Sequence, residues 1–94
     1  MTLEIQFYTQ FKRDIKRAKK RHMDISLLKY VIDKLQACEP LEEKYRDHAL
    51  GGEYAGVREC HIQPDWLLVY KIVEERLILV LARTGTHSDV FKGY

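Results

Sequence analysis

Leu3, Ile5 and Phe7 alternate with polar residues, and this period of two predicts a short strand with one buried face. The period then changes. Phe11, Ile15 and Ala18 recur at i, i+4 and i+7, the spacing of a helix with one narrow apolar stripe, and Thr9 is placed to cap its first turn. His22, Met23 and Asp24 interrupt the pattern, and Asp24 suits the N-cap of a second helix. Leu28, Val31, Ile32 and Leu35 then form a second core stripe, which Pro40 stops at or before Glu39. Two helices joined by so short a break are expected to pack as an antiparallel hairpin.

From Leu41 to Gly56 no period holds, and Gly51, Gly52 and Gly56 mark turns in a long loop. Three strand candidates follow: Val57 to Ile62, Trp66 to Val73 and Arg76 to Thr84. The turn at Gln63-Pro64-Asp65 and the break at Glu74-Glu75 are short, so the three are expected to form an antiparallel meander. The last of them is apolar on both faces from Leu77 to Ala82, which places it inside the sheet. A short segment with Phe91 and Tyr94 closes the chain. The expected fold is α+β, in the order β-α-α-β-β-β: a helix hairpin on a small antiparallel sheet, in one domain over residues 1–94.

Composition narrows the class. With 94 residues, 46% of them apolar and 32% charged, the chain has room for one core and the balance of an ordinary globular protein. Its longest aliphatic stretch is the six residues from Leu77 to Ala82. A membrane span needs roughly 20. No apolar segment follows Met1, so a cytoplasmic location is expected. Cys38 and Cys60, with no close partner in sequence, read as reduced thiols rather than a disulfide scaffold or a zinc site.

The net charge of +2 conceals an uneven distribution. Residues 1–30 carry a local +5 and residues 31–94 a local −3. Most of the excess is Lys12, Arg13, Lys16, Arg17, Lys19, Lys20 and Arg21, on the first predicted helix. Such a block attracts polyanions by steering and counterion release. It equally suits a solvated helix face or a surface that docks an acidic protein.

His48 lies in the long loop, His61 near the end of a strand and His87 just beyond the last one. A meander brings such strand ends to one edge of a sheet, where the three could converge. Imidazole gives and takes protons near neutrality. RNA cleavage asks for a base at the ribose 2′-OH, an acid at the leaving 5′-oxygen and a cation for the phosphorane charge. Arg83 is a candidate for that cation, and Trp66 and Phe91 are candidate stacking platforms. The bland alternatives are a hydrogen-bonding role for each histidine, a turn role for Asp65 and a core role for Trp66 or Phe91. Arg83 could simply pair with an acid such as Glu59. Three histidines with Asp65 could also suggest metal, but the close ligand pair of a zinc site is missing, and no metal or cofactor is expected. Nothing matches a phosphate-binding glycine loop, a nucleophile elbow or a dinucleotide fingerprint.

Taken together, Tyr45-Arg46-Asp47-His48, then Gly52, Gly56 and Arg58, then His61-Ile62-Gln63-Pro64-Asp65-Trp66-Leu67-Leu68-Val69-Tyr70-Lys71, and finally Arg83-Thr84-Gly85-Thr86-His87 form a specific pattern. It resembles the YafQ branch of the RelE/ParE superfamily, the toxins of bacterial toxin–antitoxin pairs, over essentially the whole chain. The resemblance implies the RelE-like fold and a ribosome-dependent endoribonuclease, an mRNA interferase that cuts the message in the ribosomal A site. By position it implies His48, His61, Asp65 and His87 as the catalytic cluster, and it leaves open which is base and which is acid. Because His61 and Asp65 flank one tight turn and can hydrogen-bond, His87 is the expected acid and Asp65 or His61 the base or its orienter. Trp66 and Phe91 match residues that position the message or support activity. Arg83 is placed like a phosphate-contacting arginine, and the basic helix would grip ribosomal RNA. The implied partners are the ribosome, mRNA and a cognate antitoxin, with no membrane and no small-molecule substrate. Two rivals stand beside this: a ParE-like toxin that binds DNA gyrase without cleaving, and an RNA-binding module that never cuts. The same fold serves each, so the site must decide.

Overall fold

The computed structural model describes residues 2–91; Met1 and Lys92 to Tyr94 lie outside the described residues, Tyr94 of the closing segment among them. Five strands form one sheet: β1 (Glu4–Phe7), β2 (His48–Ala49), β3 (Arg58–Gln63), β4 (Trp66–Val73) and β5 (Ile78–Gly85). The helices are α1 (Thr9–Lys20), α2 (Ile25–Gln36) and the single turn α3 (His87–Val90). In space the strands run β1-β5-β4-β3-β2. The meander β3-β4-β5 is antiparallel and β5 lies inside the sheet, as its two-sided apolar run predicts.

The sheet as a whole is mixed, a correction to the antiparallel expectation, because β1 lies parallel to β5. The chain leaves β1, crosses one face of the sheet through α1 and α2, and then builds the meander inward from the opposite edge until β5 meets β1. A helical crossover of this kind is what a parallel pair requires. The irregular 41–56 segment also contains β2, a two-residue strand paired antiparallel with β3.

Asp24 caps α2 as expected, accepting from the Ser26 amide at 3.0 Å. Thr9, in contrast, is the first residue of α1; the N-cap is Tyr8, whose side chain makes no cap bond. Both helices lie against one face and share its core: Phe11 from α1, Leu28, Val31 and Leu35 from α2, and Cys60, Ile62, Trp66, Leu68, Tyr70, Leu79 and Leu81 from the strands. α1 packs on β5 and α2 reaches β3, so the hairpin opens across the sheet. On the other face a smaller cluster gathers Leu67, Val69 and Phe91, with Leu50, Tyr54, Val57, Ala82 and Val90 around it. No described helix is long and apolar enough to cross a membrane.

Candidate active site

Alternation along β3 decides where the first two histidines go. Cys60 and Ile62 point into the helix-covered core, so Glu59 and His61 occupy the opposite face. His48 pairs directly with Glu59 across the β2–β3 ladder and shares that face. The imidazole rings of His48 and His61 stand 6.3 Å apart.

Both rings are anchored. The Arg46 carbonyl accepts from His48 Nδ1 at 2.6 Å, which leaves Nε2 on the side of the ring away from that anchor. For His61, Nδ1 donates to the Pro64 carbonyl at 3.4 Å across the β3–β4 turn, and Nε2 lies 3.4 Å from the buried Glu59 carboxylate. An acceptor thus stands at each nitrogen of this ring. The acid that meets His61 is therefore Glu59; Asp65 is exposed at the turn.

The loop bearing His48 is pinned from within the core. Tyr70 donates its phenolic O–H to Asp47, the neighbour of His48, and Arg58 Nη2 donates to the same carboxylate at 3.3 Å. Burial and the Asp47 charge both push the Tyr70 phenol upward, so it stays a donor. Arg58 is held charged by its bonds to Tyr70 and Asp47.

His87 reaches the same face by another route. Leu67 of β4 is in register with His61 on one side and with Gly85 on the other. Two strand spacings, about 10 Å at the backbone, thus separate β3 from the end of β5. Immediately after Gly85, Thr86 and Asp89 form a reciprocal capping box that starts α3, with His87 in its first turn. The His87 ring lies 5.0 Å from Phe91, and Phe91 meets Tyr54 edge-on at 5.4 Å over Leu67 and Val69. Phe91 is buried, so its place is between His87 and the sheet.

Trp66 is only 1% exposed, a correction to its expected role as a stacking platform. It faces the helix-covered core, and its indole N–H donates to Thr84 Oγ1 at 2.9 Å. Arg83 pairs with Asp14 rather than Glu59: its Nε donates to Asp14 at 2.8 Å and its Nη2 to the Asp89 carbonyl at 3.1 Å. Those contacts do not use Nη1. Of the basic block, Lys12, Arg13, Lys16, Lys19 and Lys20 are exposed, with Lys12 Nζ lying 5.2 Å over the Phe7 ring. Arg17 and Arg21 are instead turned onto acids, Asp14 and Asp89. Cys38 and Cys60 are free thiols, and burial pushes the Cys60 thiol up to about 12, far from a nucleophile. Among the described residues no group of three His, Cys, Asp or Glu is placed to hold a metal ion.

The sequence model of the family described as "Bacterial toxin of type II toxin-antitoxin system, YafQ" matches residues 3–92. The chain belongs to this family. It is 40% identical to the mRNA interferase toxin YafQ of Escherichia coli K12, over 94% of this chain and 95% of that one. The crystal structure of YafQ from E. coli BL21(DE3) superimposes with a TM-score of 0.88 at 39% identity, covering 95% of this chain and 98% of that one. The toxin in the crystal structure of the E. coli DinJ-YafQ toxin-antitoxin complex gives 0.87 at 39% identity, covering 97% and 99%. This YafQ-family toxin thus has the RelE-like fold that its motifs imply.

Three acids beside the site escape a reading of the sequence by period. Asp14 is 1% exposed and lies on the apolar stripe of α1, three residues after Phe11 and four before Ala18. That position is the signal: an acid on the buried side of an otherwise basic helix needs cationic partners. Glu59 stands two residues before His61 on one strand and therefore shares its face. Asp89 stands three residues after Thr86, the spacing of a capping box.

Proposed function

We propose that this toxin is a ribosome-dependent endoribonuclease that cuts mRNA in the ribosomal A site through its histidines. The observation that carries this reading is the convergence of His48 and His61, 6.3 Å apart, on the sheet face that also bears α3 and His87. The name of its E. coli relative, an mRNA interferase, points the same way. The exposed lysines of α1 supply a surface for ribosomal RNA.

His48, whose Nε2 is directed away from its anchor, takes the proton of the ribose 2′-OH. The 2′-oxygen attacks the phosphorus, and His61, held in place by Pro64 and Glu59, stands beside the developing phosphorane. His87 gives a proton to the departing 5′-oxygen, leaving a 2′,3′-cyclic phosphate and a 5′-OH. Asp65, exposed on the turn next to His61, is a further acceptor at the entry to the site. Arg83, through Nη1, offers a donor for a phosphate oxygen. The substrate supplies its own nucleophile, so DNA is inert. A cognate antitoxin silences the toxin in the cytoplasm of its host, as the DinJ-YafQ complex suggests by analogy.

The test is cleavage mapping by primer extension, with purified toxin on programmed ribosomes and on the same mRNA alone. Cuts at A-site codons only with ribosomes are expected. Absence of cuts in both, from folded toxin free of antitoxin, would overturn the reading in favour of a bound target such as gyrase.

A further inference from the structure

A chain of alternating charges ties α3 to the basic helix. Arg83 meets Asp14 at 2.8 Å, Asp14 accepts from Arg17 Nη2 at 2.8 Å, Arg17 Nε lies 3.8 Å from Asp89, and Arg21 Nη1 donates to Asp89 at 2.7 Å. Asp89 also accepts from the Thr86 amide at 3.0 Å, so one carboxylate both starts α3 and fastens it to α1. Burial works to raise the Asp89 carboxyl, yet the bonds from Arg21 and Thr86 and the charge of Arg17 hold it at about 2. Gly85 shows how closely the parts fit. A Cβ there would lie 2.9 Å from the Asp89 Cβ, at a φ of +152° that side chains resist. The turn before His87 can approach Asp89 this closely because position 85 is a glycine.

We propose that Asp89, clasped by Arg21 and Arg17, is a positioning residue that sets the His87 ring for RNA cleavage. On this account those two arginines serve the site, while the exposed lysines of α1 face the nucleic acid. The proposal rests on the nuclease reading above and adds a role to residues that charge alone assigns to RNA.

The experiment combines two readouts on Asp89→Asn, Arg21→Ala and their double variant. Asn keeps an acceptor for the Thr86 amide but loses the charge pair. In single-turnover cleavage on ribosomes, each single change is expected to lower the maximal rate about tenfold with KM unchanged, a plausible cost for a misplaced catalytic ring. The double change should be no worse than the poorer single, and Arg21→Lys should recover part of the rate. In NMR spectra of the free toxin, the His87 ring resonances should move in Asp89→Asn while those of His61 stay. Additive losses, a loss from Arg21→Ala confined to KM, or an unmoved His87 ring would overturn the clasp. A wild-type toxin that cuts nothing would defeat the nuclease reading, and the NMR comparison would still decide the clasp.

Discussion

The two faces of the sheet are built for different ends. The face under α1 and α2 is sealed by large apolar side chains; the Trp66 indole N–H donates to the buried Thr84 hydroxyl, which in turn donates to the Leu67 carbonyl. The opposite face carries a small cluster around Leu67, Val69 and Phe91, ringed by His48, Glu59, His61 and the turn that presents His87. Burial stabilises the first face. The second gives up burial to keep imidazoles within reach of solvent, and it holds them by hydrogen bonds to carbonyls and acids instead. The lesson is that a motif running through both faces, such as His61 to Lys71, mixes residues of unlike purpose.

Trp66 gives the sharpest way to break that comparison. Trp66→Ala is expected to cost about 3–5 kcal/mol by cavity formation. Trp66→Phe keeps most of the volume, loses one buried hydrogen bond and should cost about 1–2 kcal/mol while cleaving near the wild-type rate at temperatures where it is folded. Urea melts with cleavage assays on the same samples check both, and a folded Trp66→Phe that fails to cut would return Trp66 to the site.

Glu59→Gln probes the second face. It preserves shape and removes the anion beside His61, and a loss of roughly fivefold in single-turnover rate, equivalent to about 1 kcal/mol, is expected with KM unchanged. No change would show His61 to be independent of its acid.

The smallest effect is a pH dependence. Asp89 has its carboxyl held at about 2, below the ordinary value of about 3.9 for an aspartate. Its contribution to stability is therefore complete above that ordinary value and is lost as pH falls through about 2. With Arg21 half in solvent, about 1 kcal/mol is at stake. The gap in urea midpoint between wild type and Asp89→Asn should be full at pH 6 and close between about pH 4 and pH 2.

Much of this was legible in the chain. The two helical stripes, the meander and the inner position of β5 follow from period and from short connections. The parallel β1–β5 pair was not, because a four-residue strand announces its face but not its neighbour. The histidines could be named from spacing and motif, yet their partners could not. Asp14 answers Arg83 from 69 positions away in sequence, and Asp89 answers Arg21 from 68. Such pairings are products of the fold: local pattern shows that a buried Asp14 needs cationic partners, but not which cations those are. Trp66 is the opposite case: strand alternation already placed it with Leu68 and Tyr70, and only its position in a functional motif argued for an exposed role.

On the proposed function, one face holds the fold and the other does the chemistry. The direct test measures urea stability and single-turnover cleavage on the same preparations of His87→Ala and Leu79→Ala. The account predicts that His87→Ala keeps its stability and loses at least about 100-fold in rate. It predicts that Leu79→Ala loses about 2–5 kcal/mol and still cuts normally per folded molecule. A stable His87→Ala toxin that cleaves like wild type would contradict it.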